Sequence, residues 1–365
     1  MAQVCRHMGE LTALNKFSCP ACGAEAVWTP AKHALVCPYC GTVSPAELQT
    51  DGSIVEENDL VEALRSIPDA DRDWADQKKT VRCQSCNAIS IFDAKRVAQN
   101  CDFCGSPALL AMDDVQAPIR PKSLLPFKVA DSAVREQIRA WYGSHFWAPN
   151  HLGKKAMTDT LHGLYLPYWT FDAHADCPWE AEAGYYYYVR DSQGRQERRV
   201  RWEYASGRVL NFFDDVLVTG SKGVHLRLLE DIAPFPTTTD LVPYDAGYLS
   251  GWVVEQYQID LVGGAQDSRK RMMAALERLC ASQVPGDTHR GLRISPQFSA
   301  QTYKHLLLPV WLLTYEYRTK VYQVAVNGYT GKIAGEYPIS WVKVTIAILL
   351  VLILFGTFAY LRSQS

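Results

Sequence analysis

The chain has no surplus of charge of either sign, with 37 lysines and arginines against 39 aspartates and glutamates and a formal net charge of -2. Nonspecific binding to nucleic acid needs a basic surface that displaces counterions, so the composition gives that function no support. Catalytic signatures are also missing. The sequence contains no HExxH, no GxSxG and no complete Walker A motif. Gly328-Tyr329-Thr330-Gly331-Lys332-Ile333 lacks both the glycine spacing of a phosphate loop and the Ser or Thr after lysine. The nine histidines are scattered, and only His162 and His174, on either side of Leu166-Pro167-Tyr168-Trp169, form a pair worth inspecting. Asp172 with Asp214-Asp215 could coordinate a cation, although acidic pairs at strand ends are usually solvated. No apolar signal segment opens the chain, since Met1 to Phe17 is mixed and polar. No small-molecule substrate is evident, and the expectation is a protein that is not an enzyme.

Cysteine is what the sequence does have, and it is in register. Cys19-x2-Cys22 and Cys37-x2-Cys40 are followed by Cys83-x2-Cys86 and Cys101-x2-Cys104. Fourteen residues separate the two pairs in each copy, and the second copy starts 64 residues after the first. A Cys-x2-Cys turn points two sulfurs at one metal, and two such knuckles on facing hairpins complete the closed tetrahedral thiolate shell of structural zinc. Gly follows the second cysteine in three knuckles and Asn87 in the fourth, residues that tolerate the backbone angles a knuckle needs. The spacing predicts two zinc ribbons, residues 17–44 and 80–112, with two structural Zn2+ per chain. Disulfide pairs or a redox dithiol are the alternative. Cys5, Cys177 and Cys280 fit no pattern. Four thiolates leave no coordination site for water or substrate, and thiolate sites need a reducing compartment.

The segment Pro45 to Asp76 carries ten acidic residues against Arg65 and Arg72, and with the residues up to 79 it makes an acidic, partly helical linker. Leu60, Leu64 and Ile67 lie on one face of its predicted short helix, which reads as a packing spacer more readily than as a docking helix. At the other end Val344 to Leu361 is an uncharged stretch of eighteen residues. With Trp341 to Lys343 it reaches the thickness of a hydrocarbon core, so residues 341–361 are predicted to be a transmembrane helix. Lys343 and Arg362 nearly balance across it, so orientation follows from the thiolates. The bulk of the chain is expected in the cytosol, tail-anchored by a single pass in the inner (cytoplasmic) membrane.

Residues 115–338 read as an α+β body of two related halves, about 124–253 and 254–338. Each half has a short Phe127-Lys128-Val129 or Tyr257-Gln258-Ile259 segment, then a helix (131–146; 267–283), then an LPxW element, Leu166 to Trp169 or Leu308 to Trp311, followed by strand-like sequence. The LPxW elements are 142 residues apart. Gly263-Gly264 reads as a break before the second helix, and Asp191 to Gly194 and Asn327 to Gly331 as hairpin turns. The fold class is therefore α+β: two small β ribbons, the duplicated body and one transmembrane helix.

The paired ribbons, Phe146-Trp147-Ala148-Pro149-Asn150, Leu166 to Ala173, Phe213 to Val218, Pro243 to Leu249 and Asn327 to Lys332 resemble a bacterial family of tail-anchored double zinc-ribbon proteins. Its members are often labelled primosomal protein N-prime (replication factor Y) or superfamily II helicase-like. The resemblance runs nearly the whole length, and its label implies a nucleic-acid-binding role near replication. The helicase's phosphate loop and acidic ATPase box are absent from this sequence. The residues themselves favour a membrane-tethered adaptor with a cytosolic protein partner.

Overall fold

The computed structural model describes residues 17–44, 57–66, 78–84, 88–93, 101, 109–112, 119–149, 161–190, 194–317 and 320–364. The fold is mixed α+β. Strands β1 (Val27–Thr29), β2 (Ala34–Val36) and β3 (Val43–Ser44) form a small antiparallel sheet in that order. After β4 (Asn58–Asp59) and helix α1 (Leu60–Ser66) come β5 (Lys78–Cys83), β6 (Ile89–Asp93), β7 (Leu109–Met112) and β8 (Ser123–Leu124). Helix α2 (Asp131–Ser144) leads to the long strands β9 (Leu161–Arg190) and β10 (Gln196–Thr219). Helix α3 (Leu226–Asp231), β11 (Val242–Pro243) and β12 (Val253–Glu255) precede α4 (Leu261–Gln283). Then follow β13 (Thr288–Ile294), β14 (Gln297–Tyr317), β15 (Lys320–Asn327), β16 (Ile333–Gly335) and α5 (Trp341–Gln364).

Among the described residues thirteen strands, β4 to β16, belong to one sheet. At 30, 24 and 21 residues, β9, β10 and β14 are several times the usual strand length of about 5–6. The predicted LPYW and Tyr185 to Arg190 segments are parts of the single strand β9. Two bulges sit opposite each other across it. β10 bulges between Phe213 and Val216, with Asp215 at φ 51°, and β14 bulges between Ser299 and Thr302, with Ala300 at φ 46°.

The LPxW elements meet in the middle of this sheet, where Leu166 pairs directly with Leu308. Around that pair one set of contacts occurs twice. β8 pairs in parallel with Leu306 and Leu307, and β12 pairs in parallel with Leu164 and Tyr165. Trp311 Nε1 donates to the Val129 carbonyl at 3.0 Å, and Trp169 Nε1 to the Ile259 carbonyl at 2.9 Å. The amides of Lys128 and Val129 donate to Gly328, and those of Gln258 and Ile259 to Gly220. Gly328 in turn donates to Pro309 and Gly220 to Pro167. Each long helix therefore starts beneath the tryptophan of the other LPxW element. β12 straddles the predicted boundary between residues 253 and 254.

Helix α2 buries Val134, Ile138 and Tyr142, a four-residue repeat that keeps one face on the sheet. Helix α4 starts six residues before its predicted position at Asp267. Gly263 and Gly264 belong to its first turn instead of breaking the chain, because the Asp260 carboxylate caps the Gly263 amide at 2.8 Å. Gly264 also lies against Trp169, which a Cβ would approach to 3.0 Å. The α1 face is shorter than predicted. Leu60 is buried, Leu64 is exposed, and Ile67 lies outside the described residues.

Candidate metal centre

Two knuckles bring four sulfurs together. In the first, the Cys19 amide donates to Ala24 and the Gly23 amide back to Cys19; in the second, Cys37 donates to Thr42 and Gly41 to Cys37. Gly23 and Gly41 sit at φ 72° and 73°, the left-handed conformation glycine adopts without a Cβ clash. Sγ of Cys40 lies 3.5 Å from that of Cys19, and Sγ of Cys22 lies 3.5 Å from those of Cys37 and Cys40. A tetrahedral shell with metal–sulfur bonds of about 2.3 Å spaces its sulfurs roughly 3.8 Å apart, whereas a disulfide needs about 2.0 Å. The spacing fits thiolates around one ion, and none of the described cysteines is in a disulfide. Hydrogen bonds from the Thr42 hydroxyl and amide hold the Cys40 thiol down at about 6. The Ala24 amide pulls Cys22 the same way, but the crowded sulfurs of Cys40 and Cys37 outweigh it and push Cys22 up to about 12. Crowded thiols of this kind become thiolates together when a cation compensates them.

This module does not stand apart from the body. Ala26, Trp28 and Leu35 are buried in one core with Phe127, Ile138, Tyr248 and Trp311. Trp28 Nε1 donates to the Phe127 carbonyl at 3.3 Å, its backbone amide to Ser250, and the Ser250 hydroxyl to Ala26 at 2.7 Å.

Of the second cysteine set, Cys83 and Cys101 are both buried in one core cluster, while Cys86 and Cys104 lie outside the described residues. The Cys83 amide donates to Ala88 at 2.9 Å, the same five-residue closure seen in both knuckles of the first module. β5 pairs with β6 and β7, and β6 continues into the large sheet through Val254↔Ile91 and Glu255↔Ser90.

His162 and His174 are not brought together. They lie twelve residues apart on β9, roughly 40 Å of extended chain, and the His174 ring lies tilted against Phe212. The three aspartates do converge, with Asp214 exposed and the other two turned inward. Asp172 and the Asp215 side chain are each 3% exposed, with Lys304 Nζ 2.7 Å from Asp215 Oδ1. The paired bulges turn Asp215 and Thr302 toward Asp172, whose carboxylate accepts from the Asp215 amide and from the Thr302 hydroxyl. Glu57 reaches in from the acidic linker to Lys304 at 3.3 Å. Burial raises the Asp172 carboxyl above its usual range. Lys304 supplies a cation to this cluster through Asp215. Nothing in the local sequence Thr302-Tyr303-Lys304-His305 marks Lys304 as buried.

Cys177 and Cys280, which fit no spacing, meet across β9 and α4 with sulfurs 3.7 Å apart, and burial pushes Cys280 up to about 12. Both are fully buried in the packing between strand and helix. Two cavities of about 270 and 280 Å³, one beside Asp172 and Met272 and one beside Tyr168 and Arg271, fall just below the usual ligand range of about 300–1,000 Å³.

Helix α5 contains an 18-residue apolar window, Trp341–Phe358, with a mean hydropathy of 2.3 and none of it buried against the protein. That makes it a candidate membrane span by length and composition.

The chain is similar to the uncharacterized protein YdjG of Bacillus subtilis (strain 168), with 24% identity over 337 residues, 90% of this chain and 91% of that protein. No protein-family model matches the chain, and no solved structure matches it.

Proposed function

We propose that the protein is a membrane-tethered, zinc-binding adaptor that acts through protein–protein contact in the cytosol. The observation that carries this reading is the closed set of four sulfurs at Cys19, Cys22, Cys37 and Cys40, which leaves a metal no open position for chemistry. Between Cys37 and Cys40 of the second knuckle stands Tyr39, 82% exposed on a turn that metal would hold rigid. An exposed aromatic on a rigid turn is the kind of anchor that dominates protein interfaces. A second Zn2+ is assigned to Cys83, Cys86, Cys101 and Cys104, supported by the doubled spacing and the Cys83–Ala88 closure. Helix α5 supplies the tether, and the thiolate sites favour placing the bulk of the chain on the reducing side. The body is read as two related halves, supported by the doubled hydrogen-bond set around Leu166 and Leu308.

The test is in-cell crosslinking and mass spectrometry on the full chain, with Tyr39→Ala and a Cys37→Ser, Cys101→Ser double variant beside it. A defined protein partner lost in both variants is the expected result. Partners unchanged in both would refute an adaptor role for the cysteine modules.

A second reading, nucleic-acid binding near replication, has one observation in its favour. Residues 185–201, at the far end of the β9–β10 hairpin, carry five arginines against Asp191 and Glu197. There Arg198 stacks over Tyr186 at 4.3 Å, and Tyr185, Tyr186, Tyr187 and Arg201 line a groove of about 390 Å³. Stacking platforms beside cations suit single strands, and such binding weakens steeply with salt. Salt-insensitive or absent binding of single-stranded DNA by residues 1–338 would eliminate it.

A further inference from the structure

We infer that residues 145–149, which follow α2, form an aromatic collar that lies in the headgroup zone of a lipid bilayer beside the first turn of α5. The inference rests on reading α5 as a membrane span. Phe146 is 69% exposed and Trp147 41%, although Tyr142 just before them is buried in the core. Large aromatics left in solvent side by side, with ring centroids 5.2 Å apart, do not cover the protein's own core.

What they adjoin is the start of α5. The Ser340 amide donates to the Trp147 carbonyl at 2.8 Å. Lys343 Nζ donates to the carbonyls of Phe146 and Ala148, each at 2.8 Å, and lies 5.4 Å from the centre of the Phe146 ring. These three bonds fasten the loop to the residue before α5 and to its third residue. The depth of the loop is therefore set by the depth of the helix. If Trp341, 68% exposed, sits in the interfacial zone where tryptophan is enriched, Phe146 and Trp147 sit there too. Lys343 fits the same level. Its ammonium, which would be costly in hydrocarbon, stays at the boundary and is occupied by two loop carbonyls. The bilayer is the partner of choice because the collar is continuous with a helix whose apolar window is wholly unburied. A collar of this kind would hold the body at a fixed tilt on the membrane instead of letting it swing on a single helix.

The experiment uses the full chain reconstituted into vesicles of phosphatidylcholine and phosphatidylglycerol. p-Benzoylphenylalanine replaces Phe146, Trp147, Phe358 or Tyr204 one at a time, all positions where the side chain is exposed. After illumination, lipid adducts are counted by mass spectrometry. The expected result is adducts at positions 146, 147 and 358, each several-fold above Tyr204 on the distant hairpin. Adducts at 358 with none at 146 and 147 would overturn the collar and leave the span standing. Failure at 358 would remove the span and the collar with it. Adducts at 204 equal to those at 146 would show nonselective labelling of exposed aromatics and overturn the collar as well.

Discussion

Among the described residues the strands of the first cysteine module ladder only with one another, and the joint to the body is made mainly by side chains, Trp28 against Tyr248 and Phe127 and Ser250 against Ala26, with one backbone bond from the Trp28 amide to Ser250. In the second, a strand of the module itself joins the large sheet, with β6 beside β12, and Cys83 and Cys101 pack in the core beneath it. Identical cysteine spacing is thus compatible with two kinds of attachment. The difference teaches that the ligands of such a module say what it can hold, while residues between the ligands decide how it is mounted. Modules separated in sequence from the body would be expected to unfold alone and leave it intact. The burial of Trp28 and Leu35 in the main core argues otherwise for the first.

The largest effect should come from the metal. Structural zinc contributes on the order of 10 kcal/mol to small metal-dependent units. Cys37→Ser is expected to abolish metal binding at the first module and to pull down the main unfolding transition, because Trp28 leaves the core with the module. Metal analysis and urea denaturation followed by tryptophan fluorescence read both quantities. An unchanged main transition would mean that the first module is not mounted on the main core.

At the other joint the sensitive group is Glu255, paired with Ser90 and fully buried, whose carboxyl is pushed up to about 8 by burial against the pull of Ser221 and Gln258. A raised carboxyl pKa means the folded state binds the proton more tightly than the unfolded state, whose carboxyl titrates near 4.5. The stabilisation is complete below pH 4.5 and is lost as pH rises to about 8, with an upper value of roughly 5 kcal/mol. Glu255→Gln should flatten that part of the stability–pH curve. Wild-type and variant curves of the same slope between those limits would contradict it.

Trp28→Ala tests the first joint directly. A buried tryptophan, 4% exposed, replaced by alanine should cost about 3–5 kcal/mol, with zinc retained. Zinc lost together with stability would mean that the module and its joint cannot be separated. The smallest effect is expected at Gly251, which sits at φ 86° with Val27 pressed against it. A Cβ there would lie 2.7 Å from Val27 Cγ1, so Gly251→Ala should cost about 1–3 kcal/mol. A neutral result would show that Val27 yields and that the joint is softer than its packing suggests.

Several elements were legible because their causes are local. Helix α2 begins at the predicted Asp131 and ends two residues early, since its i, i+4 apolar repeat is visible in the chain. The Asn327 to Gly331 turn closes as read, with Asn327 Oδ1 accepting from the amides of Tyr329 and Thr330. Other features were hidden. Gly263-Gly264 looks like a break unless one knows that Asp260 caps the helix and that Trp169 presses on Gly264. Lys304 looks like any strand lysine until the bulges on β10 and β14 bring Asp172 and Asp215 to it.

By itself the sequence determined two things about this protein: the gathering of Cys19, Cys22, Cys37 and Cys40, and an apolar helix long enough to cross a membrane. Both follow from spacing and composition within a few tens of residues, where covalent geometry limits the outcome. Only the tertiary structure decided that Leu166 faces Leu308, that Trp28 belongs to the main core, that Cys177 meets Cys280, and that Phe146 and Trp147 stand beside the start of α5. These depend on which distant strand or helix becomes the neighbour, and a side chain's burial is settled by that neighbour and not by the residues flanking it in the chain.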